Sequence, residues 1–120
     1  MMNITYKTDY GILELEPTSE LREADFEQVG NELKRLQTEG RDLKGVLVKT
    51  EEFPGYQRFG DLLAHAEFVS DHGDEIPKVA LCTDSRIGSL LEVIGDAFTE
   101  AEVERFDFAD TDRAEKWILS

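Results

Sequence analysis

The spacing of apolar residues changes several times along the chain, and each change predicts a new element of secondary structure. Alternating apolar and polar residues predict half-buried strands, and short continuous apolar runs predict strands buried on both faces. By these criteria the predicted strands cover residues 3–7, 12–16, 44–50, 77–83 and 102–108. Asp9, Tyr10 and Gly11 form a turn signal between the first two strands, so this pair is predicted to be a β-hairpin.

Apolar residues three and four positions apart predict helices between and after the later strands. The predicted helices cover about 22–38, about 57–71, about 86–97 and a last segment capped by Thr111 and Asp112. Gly40 lies just past the first of them, at a place where helices often end.

The predicted order of elements is β-β-α-β-α-β-α-β-α, which is typical of an α/β domain. Strands that alternate with helices favour parallel pairing, whereas the opening hairpin requires one antiparallel strand. We therefore expect a mixed, mostly parallel sheet of about five strands with about four helices. Because no internal repeat, low-complexity segment or linker interrupts the pattern, residues 1–120 are predicted to form a single domain.

The charge of the chain excludes two classes of partner. There are 27 acidic and 13 basic residues, which gives a formal net charge of −14. Nucleic acids and anionic lipids need clustered Lys and Arg, so binding to either is not expected. Three explanations of the acidic surface stay open: solubility, adaptation to salt, and steering toward a basic partner.

The location of the protein is predicted from what the sequence lacks. No apolar run is long enough to span a bilayer, and the first residues do not resemble a signal peptide. A single cysteine, Cys82, cannot form an intramolecular disulfide. We therefore predict a cytoplasmic protein.

Polar residues that follow two central strands are the best candidates for a binding site. In open parallel sheets, ligands favour the carboxyl ends of the strands. Thr50, Glu51 and Phe53 follow one such strand, and Asp84 and Ser85 follow the next and open a helix. A helix N-terminus can receive an anion. Helix capping is the competing explanation, because no glycine-rich phosphate loop is present and the neighbouring carboxylates oppose an anion.

Other groups of chemically active residues are better explained as structure. Asp61, His65 and His72 could share a helix face, but their spacing matches no metal signature, so an exposed helix face is favoured. Cys82 lies within an apolar strand, where a core position is favoured over a reactive thiol. We predict no catalytic residue, no metal and no cofactor, and so no enzyme. The alternative is an unrecognised active site drawn from Thr50, Glu51, Tyr56, Asp84 and Ser85.

Three segments together resemble a known family. They are GVLVKTEEFPGY, KVALCTDSRIGSLLEVIGDAFTEAEVERFDF and ADTDRAEKWI, and the most specific pattern is F-T-x-A-E-V-x-x-F-D at 98–107. They resemble the SpoIIAA-like family of small bacterial proteins, whose fold is that of the STAS domain of anti-anti-sigma factors and is related to CRAL-TRIO lipid-binding domains. The resemblance covers nearly the whole chain and implies no enzymatic activity.

The resemblance implies a protein-interaction or regulatory domain. In anti-anti-sigma factors a phosphorylatable serine opens the helix after the central strand, but the corresponding stretch here, Pro54–Phe59, contains no Ser or Thr. We therefore expect an unknown protein partner, for which the acidic surface favours a basic one, without a phosphoserine switch. A carrier of a small apolar or lipid-like ligand is the alternative, favoured by the apolar helix at about 86–97. A homodimer is compatible with so small a domain, since symmetric pairs are the commonest oligomers. The predicted partner or ligand surface comprises Thr50, Glu51, Phe53, Tyr56, Phe59, Asp84 and Ser85.

Overall fold

The described part of the chain forms one five-stranded sheet with a helix on each face. A computed structural model describes residues 2–18, 22–51, 76–84 and 101–120. The strands are β1 (Met2–Lys7), β2 (Ile12–Pro17), β3 (Gly45–Lys49), β4 (Lys78–Cys82) and β5 (Glu102–Phe106). The helices in these ranges are α1 (Glu23–Thr38), a short 3₁₀ turn (Phe108–Asp110) and α2 (Thr111–Leu119).

The pairing of the strands confirms the mixed, mostly parallel sheet. The strands lie side by side in chain order, β1-β2-β3-β4-β5. β1 pairs with β2 in the antiparallel sense, and the three later pairs are all parallel. The predicted helices at about 57–71 and 86–97 lie outside the described residues, so α1 and α2 are the two of the four predicted helices that the structure describes.

Two predicted boundaries near the end of the chain were wrong. β5 ends at Phe106 instead of residue 108, because the backbone of Phe108–Asp110 winds into the 3₁₀ turn. α2 begins at Thr111 with Asp110 as its N-cap residue, one position earlier than the predicted cap. The Thr111 hydroxyl donates a hydrogen bond to the Phe108 carbonyl at 3.0 Å, which joins the turn to the helix.

Two glycines end local elements as their positions predict. Gly11 has a φ of 70° and closes the β1–β2 turn, where its N–H donates to the Lys7 carbonyl at 2.8 Å. Gly40 has a φ of 69° and follows α1. The N–H of Gly40 donates to Gln37 and the N–H of Arg41 donates to Leu36, which is the Schellman arrangement of a helix end.

One face of the sheet is covered by α1. The helix contributes a buried apolar stripe, as its spacing predicts: Phe26, Val29, Leu33 and Leu36. This stripe belongs to the larger of two apolar clusters, which also contains alternate residues of the strands: Leu13, Leu15, Val46, Val48, Val79 and Leu81.

The opposite face is covered by α2. Ala114 and Ile118 of the helix form a second apolar cluster with Ile12, Leu47, Ala80 and Cys82. The helix lies so close to β3 that a Cβ atom on Gly45 would meet the Ile118 Cγ2 at 2.8 Å. In the described ranges no helix is long and apolar enough to cross a membrane.

Candidate functional site

The backbones of β3, β4 and β5 stay hydrogen-bonded beyond the ends of the strands. The Thr50 N–H donates to the Cys82 carbonyl at 3.0 Å, and the Asp84 N–H donates to the Glu51 carbonyl at 3.1 Å. On the other side, the Thr83 N–H donates to the Phe106 carbonyl at 3.0 Å. We call the resulting platform the carboxyl edge; it comprises Thr50, Glu51, Thr83, Asp84, Asp107 and Phe108.

Side chains of the carboxyl edge separate into buried hydroxyls and exposed carboxylates. Thr50 and Thr83 are buried, and the Thr83 hydroxyl donates to the Glu51 carbonyl at 3.4 Å. Glu51 and Asp84 are exposed. The Asp84 Oδ1 accepts a hydrogen bond from the Phe108 N–H at 3.1 Å, which ties the end of β4 to the 3₁₀ turn. The carboxylates therefore stand on a backbone that is fixed by hydrogen bonds.

Arg105 adds a cation to the edge that the sequence analysis missed. Its Nη2 donates to the Thr83 carbonyl at 2.9 Å, and its Nη1 lies 3.7 Å from the Asp107 Oδ1. Both residues were assigned to a strand predicted to continue to residue 108. The signal that could have found them is their position at the end of the strand next to Asp84.

The carboxyl edge and the start of α2 together are acidic. Beyond the carboxylates of the edge itself, Asp110 and Asp112 lie at the N-terminal end of α2, where the helix dipole favours negative charge. Arg113 offsets one of them with a 3.7 Å ion pair to Asp110. The described residues of the edge and of the start of α2 contain five carboxylates: Glu51, Asp84, Asp107, Asp110 and Asp112. The basic side chains beside them are those of Arg105 and Arg113, so the carboxylates outnumber the guanidinium groups by five to two. The surface is suited to a cationic partner and opposes an anion.

The structure brings together three of the seven predicted surface residues. Thr50, Glu51 and Asp84 lie on neighbouring strand ends, although the buried Thr50 side chain offers little surface. The other four, Phe53, Tyr56, Phe59 and Ser85, lie outside the described residues. The same is true of Asp61, His65 and His72. Within the described ranges, no group of three or more His, Cys, Asp or Glu is placed to hold a metal ion.

A second group of charges lies on the α2 face of the sheet, and we call it the Glu14 cluster. Its members are Lys7 of β1, Glu14 of β2, Lys49 of β3 and Glu115 of α2. The Glu14 Oε1 lies 2.8 Å from the Lys49 Nζ, and its Oε2 lies 3.0 Å from the Lys7 Nζ as an ion pair rather than an aligned hydrogen bond. Lys7 also pairs with Glu115, so the cluster connects the first strand to the last helix.

The pKa values of the Glu14 cluster favour its charged form. Burial raises the pKa of Glu14, but the interactions with Lys49 and then Lys7 outweigh burial and hold that pKa below its ordinary value. The pKa of Lys7 is raised, mainly by its hydrogen bond to Glu115. The Glu14 side chain is only 11% exposed. A buried charge is tolerated only when it is paired, and every charge of the cluster has a partner of opposite charge. We therefore interpret the cluster as a structural network and not as a reactive site.

The Glu14 cluster was not predicted from the sequence. Glu14 belongs to the alternating ILELE run, which was interpreted as a half-buried strand with a polar outer face. In the structure Glu14 is instead buried, with 9% of the surface of the whole residue exposed. The lysines that compensate it lie on the neighbouring strands, and their proximity depends on a register that the local pattern does not contain.

Cys82 has the properties of a core residue. Its side chain is fully buried in the cluster beneath α2. Burial raises the pKa of the thiol to about 11 and outweighs a hydrogen bond with Thr111, which lowers that pKa. Because the thiolate is the nucleophilic form, Cys82 is unreactive at neutral pH. The core position predicted for it is therefore confirmed.

These features define the class of protein: an α/β domain with a mixed sheet, a helix on each face, and an acidic edge at the carboxyl ends of the parallel strands. The family model described as SpoIIAA-like matches residues 12–119, and the chain belongs to that family. Membership of this family suggests a STAS-type regulatory or interaction domain. Comparison with curated proteins and with solved structures finds no match.

Proposed function

We propose that the protein is a non-enzymatic regulatory domain that binds a basic partner protein through the carboxyl edge. The observation that carries the proposal is the exposure of Glu51 and Asp84 on strand ends joined by a backbone hydrogen bond. A platform fixed in this way loses little conformational freedom on binding, because its backbone is already ordered. The family membership supports a protein partner.

Electrostatics would act mainly on the rate of association. A net charge of −14 produces a negative potential around the molecule, and a basic partner is steered toward it. Since exposed charges are screened beyond about 8 Å at physiological ionic strength, binding is expected to weaken as salt is added. The absence of Ser and Thr from Pro54–Phe59 favours control by partner availability instead of phosphorylation at that stretch.

The test begins with a pull-down from the source cell and continues with surface variants of the protein. The double variant Glu51→Gln, Asp84→Asn removes two charges while the new amide oxygen can still accept from the Phe108 N–H. We expect each lost carboxylate to weaken binding about two- to fivefold, chiefly through slower association. The matched control is Glu23→Gln, Glu27→Gln, which removes two exposed charges from α1.

Two results would contradict the proposal. One is repeated recovery of no specific protein partner. The other is equal weakening by the carboxyl-edge variant and the α1 control, which would mean that net charge matters and the edge does not. Circular dichroism of both variants checks that each is folded before binding is compared.

The alternative function, a carrier of a small apolar ligand, is supported by the apolar stripe of residues 86–97. Native mass spectrometry of freshly purified protein separates it from the interaction domain. Added mass in the range of a lipid favours the carrier, whereas a bare chain mass opposes it.

A further inference from the structure

The two edges of the sheet differ in charge. β5, at one edge, has exposed Glu102, Glu104 and Arg105 side chains. β1, at the other edge, belongs to a stretch of residues 2–8 that contains no Asp or Glu. Charged side chains are the usual means by which proteins prevent an edge strand from pairing with another chain. β5 has this protection, and β1 has Lys7 as its single charge.

β1 also has the length and composition of a strand that can pair again. It is six residues long, and its outer backbone groups have no strand partner among the described residues. The side chains of Asn3 and Thr5, on the α2 face of the strand, are exposed. Ile4 and Tyr6 are half-buried on the α1 face.

We propose that β1 pairs in the antiparallel sense with β1 of a second copy of this chain, which joins the two sheets into one. The proposal is independent of the carboxyl edge and its partner, because β1 lies at the opposite side of the sheet.

The sequence of β1 is complementary to itself in one symmetric register. A two-fold axis perpendicular to the sheet at Thr5 keeps the α1 face of both copies on the same side. It places Ile4 opposite Tyr6 on that face, and Asn3 opposite Lys7 on the other face. Apolar pairs of an aromatic and a β-branched residue stabilise antiparallel strands, and Thr opposite Thr does so as well. No like charges face each other in this register.

Charge also argues for this edge as the place where two copies meet. Each copy has a net charge of −14, so two copies repel each other on approach. A contact between two β1 strands, which contain no carboxylate, is opposed less by this repulsion than a contact between two acidic β5 strands. Since a single pair of short strands buries a small area, the dimer is expected to be weak. Added salt screens the repulsion and should strengthen the dimer, whereas it should weaken binding of a basic partner.

Sedimentation velocity over a range of protein concentrations tests the proposal with variants at Thr5. Thr5→Glu and Thr5→Lys each place like charges opposite one another at the two-fold axis. Each is expected to weaken self-association about fivefold. An equimolar mixture of the two is expected to recover association as a heterodimer, because the opposed charges are then unlike.

Two controls keep the result interpretable. Thr5→Gln tests the change in side-chain size without charge, and it is expected to weaken self-association less than either charged variant does. Glu104→Lys tests a charge change at the β5 edge, and it is expected to leave self-association unchanged. Thr5 lies opposite Glu14 in the hairpin, so Thr5→Lys is the variant that disturbs the fold least, and thermal melts confirm folding of each variant.

A protein that stays monomeric at all concentrations and salt conditions would overturn the proposal. The alternative would then be that β1 pairs with a strand of another protein. A dimer that Glu104→Lys disrupts and the Thr5 variants do not would overturn it as well. Failure of the mixture to recover association would show that the two copies do not meet at Thr5.

Discussion

Gly45 is the position where a single added methyl group should disturb the sheet most directly. A Cβ atom there would lie 2.7 Å from the Lys78 carbonyl oxygen and 2.8 Å from the Ile118 Cγ2, whereas ordinary van der Waals contact is 3.4–4 Å. The Lys78 oxygen belongs to the backbone of β4, which is paired with β3. Because this atom cannot move alone, Gly45→Ala must displace either the strand pair or α2.

The expected loss of stability follows from two opposing effects. Overpacking a closely packed site costs about 1–3 kcal/mol. Gly45 does not have a positive φ, so alanine is compatible with its backbone conformation. Alanine also reduces the conformational freedom of the unfolded chain, which stabilises the folded protein by about 0.4–1 kcal/mol. We expect Gly45→Ala to lower the free energy of unfolding by about 1–2 kcal/mol, which corresponds to a fall in Tm of about 4–10 °C for a domain of this size.

Urea denaturation followed by circular dichroism measures this change. Gly40→Ala is the control, since a Cβ at Gly40 has nothing within 4 Å and its cost arises from the φ of 69° alone. Ile118→Leu removes the β-branch methyl that Gly45→Ala would meet. The double variant should therefore lose less stability than the two single variants together.

Two results would refute the reasoning about Gly45. If Gly45→Ala were as stable as the unaltered protein, the close approach of β4 would not exist. If the effects of Gly45→Ala and Ile118→Leu were additive, α2 would not lie against Gly45.

Two further predictions concern buried groups. Glu14→Gln should lower the free energy of unfolding at pH 7 by about 1–2 kcal/mol, because Lys49 loses the carboxylate it pairs with and Lys7 keeps only Glu115. The pKa of Glu14 is lowered in the folded state, so its contribution is present above its ordinary value of 4.5 and is lost as the pH falls below it. The difference in free energy of unfolding between Glu14→Gln and the unaltered protein, measured by urea denaturation, should therefore become smaller in acid. A difference that stays constant down to acid pH would contradict this assignment. Cys82, with its thiol pKa raised to about 11, should react with a thiol reagent at pH 7 only at the rate of unfolding, and rapid labelling of the folded protein would show that β4 is accessible.

Much of the fold was predictable because its signals are local. The continuous apolar runs at Val46–Val48 and Val79–Leu81 predicted interior strands, and the structure places both in the middle of the sheet. Gly40 predicted the end of α1, and it adopts the left-handed conformation that a helix end requires. Each of these signals depends on residues that are neighbours in sequence.

The features that were missed depend on residues far apart in sequence. The burial of Glu14 is compensated by Lys7 and Lys49 on the neighbouring strands, and Lys7 in turn pairs with Glu115, 108 positions away. Likewise, β5 ends early because the chain enters the 3₁₀ turn, whose Phe108 N–H donates a hydrogen bond to Asp84 across the edge. Neither partner is visible in a local pattern. The predicted surface residues Thr50, Glu51 and Asp84 were placed together because parallel strands end at a common edge, which is a rule of topology.

The order of the strands bears on how the chain folds during its synthesis. Each strand pairs with the one made just before it, so the sheet can grow as the chain leaves the ribosome. α2 is made after all five strands, and its Ala114 and Ile118 cover Leu47 and Ala80. Leu47 and Ala80 therefore lack the cover of Ala114 and Ile118 until the nine residues of α2 have left the ribosome.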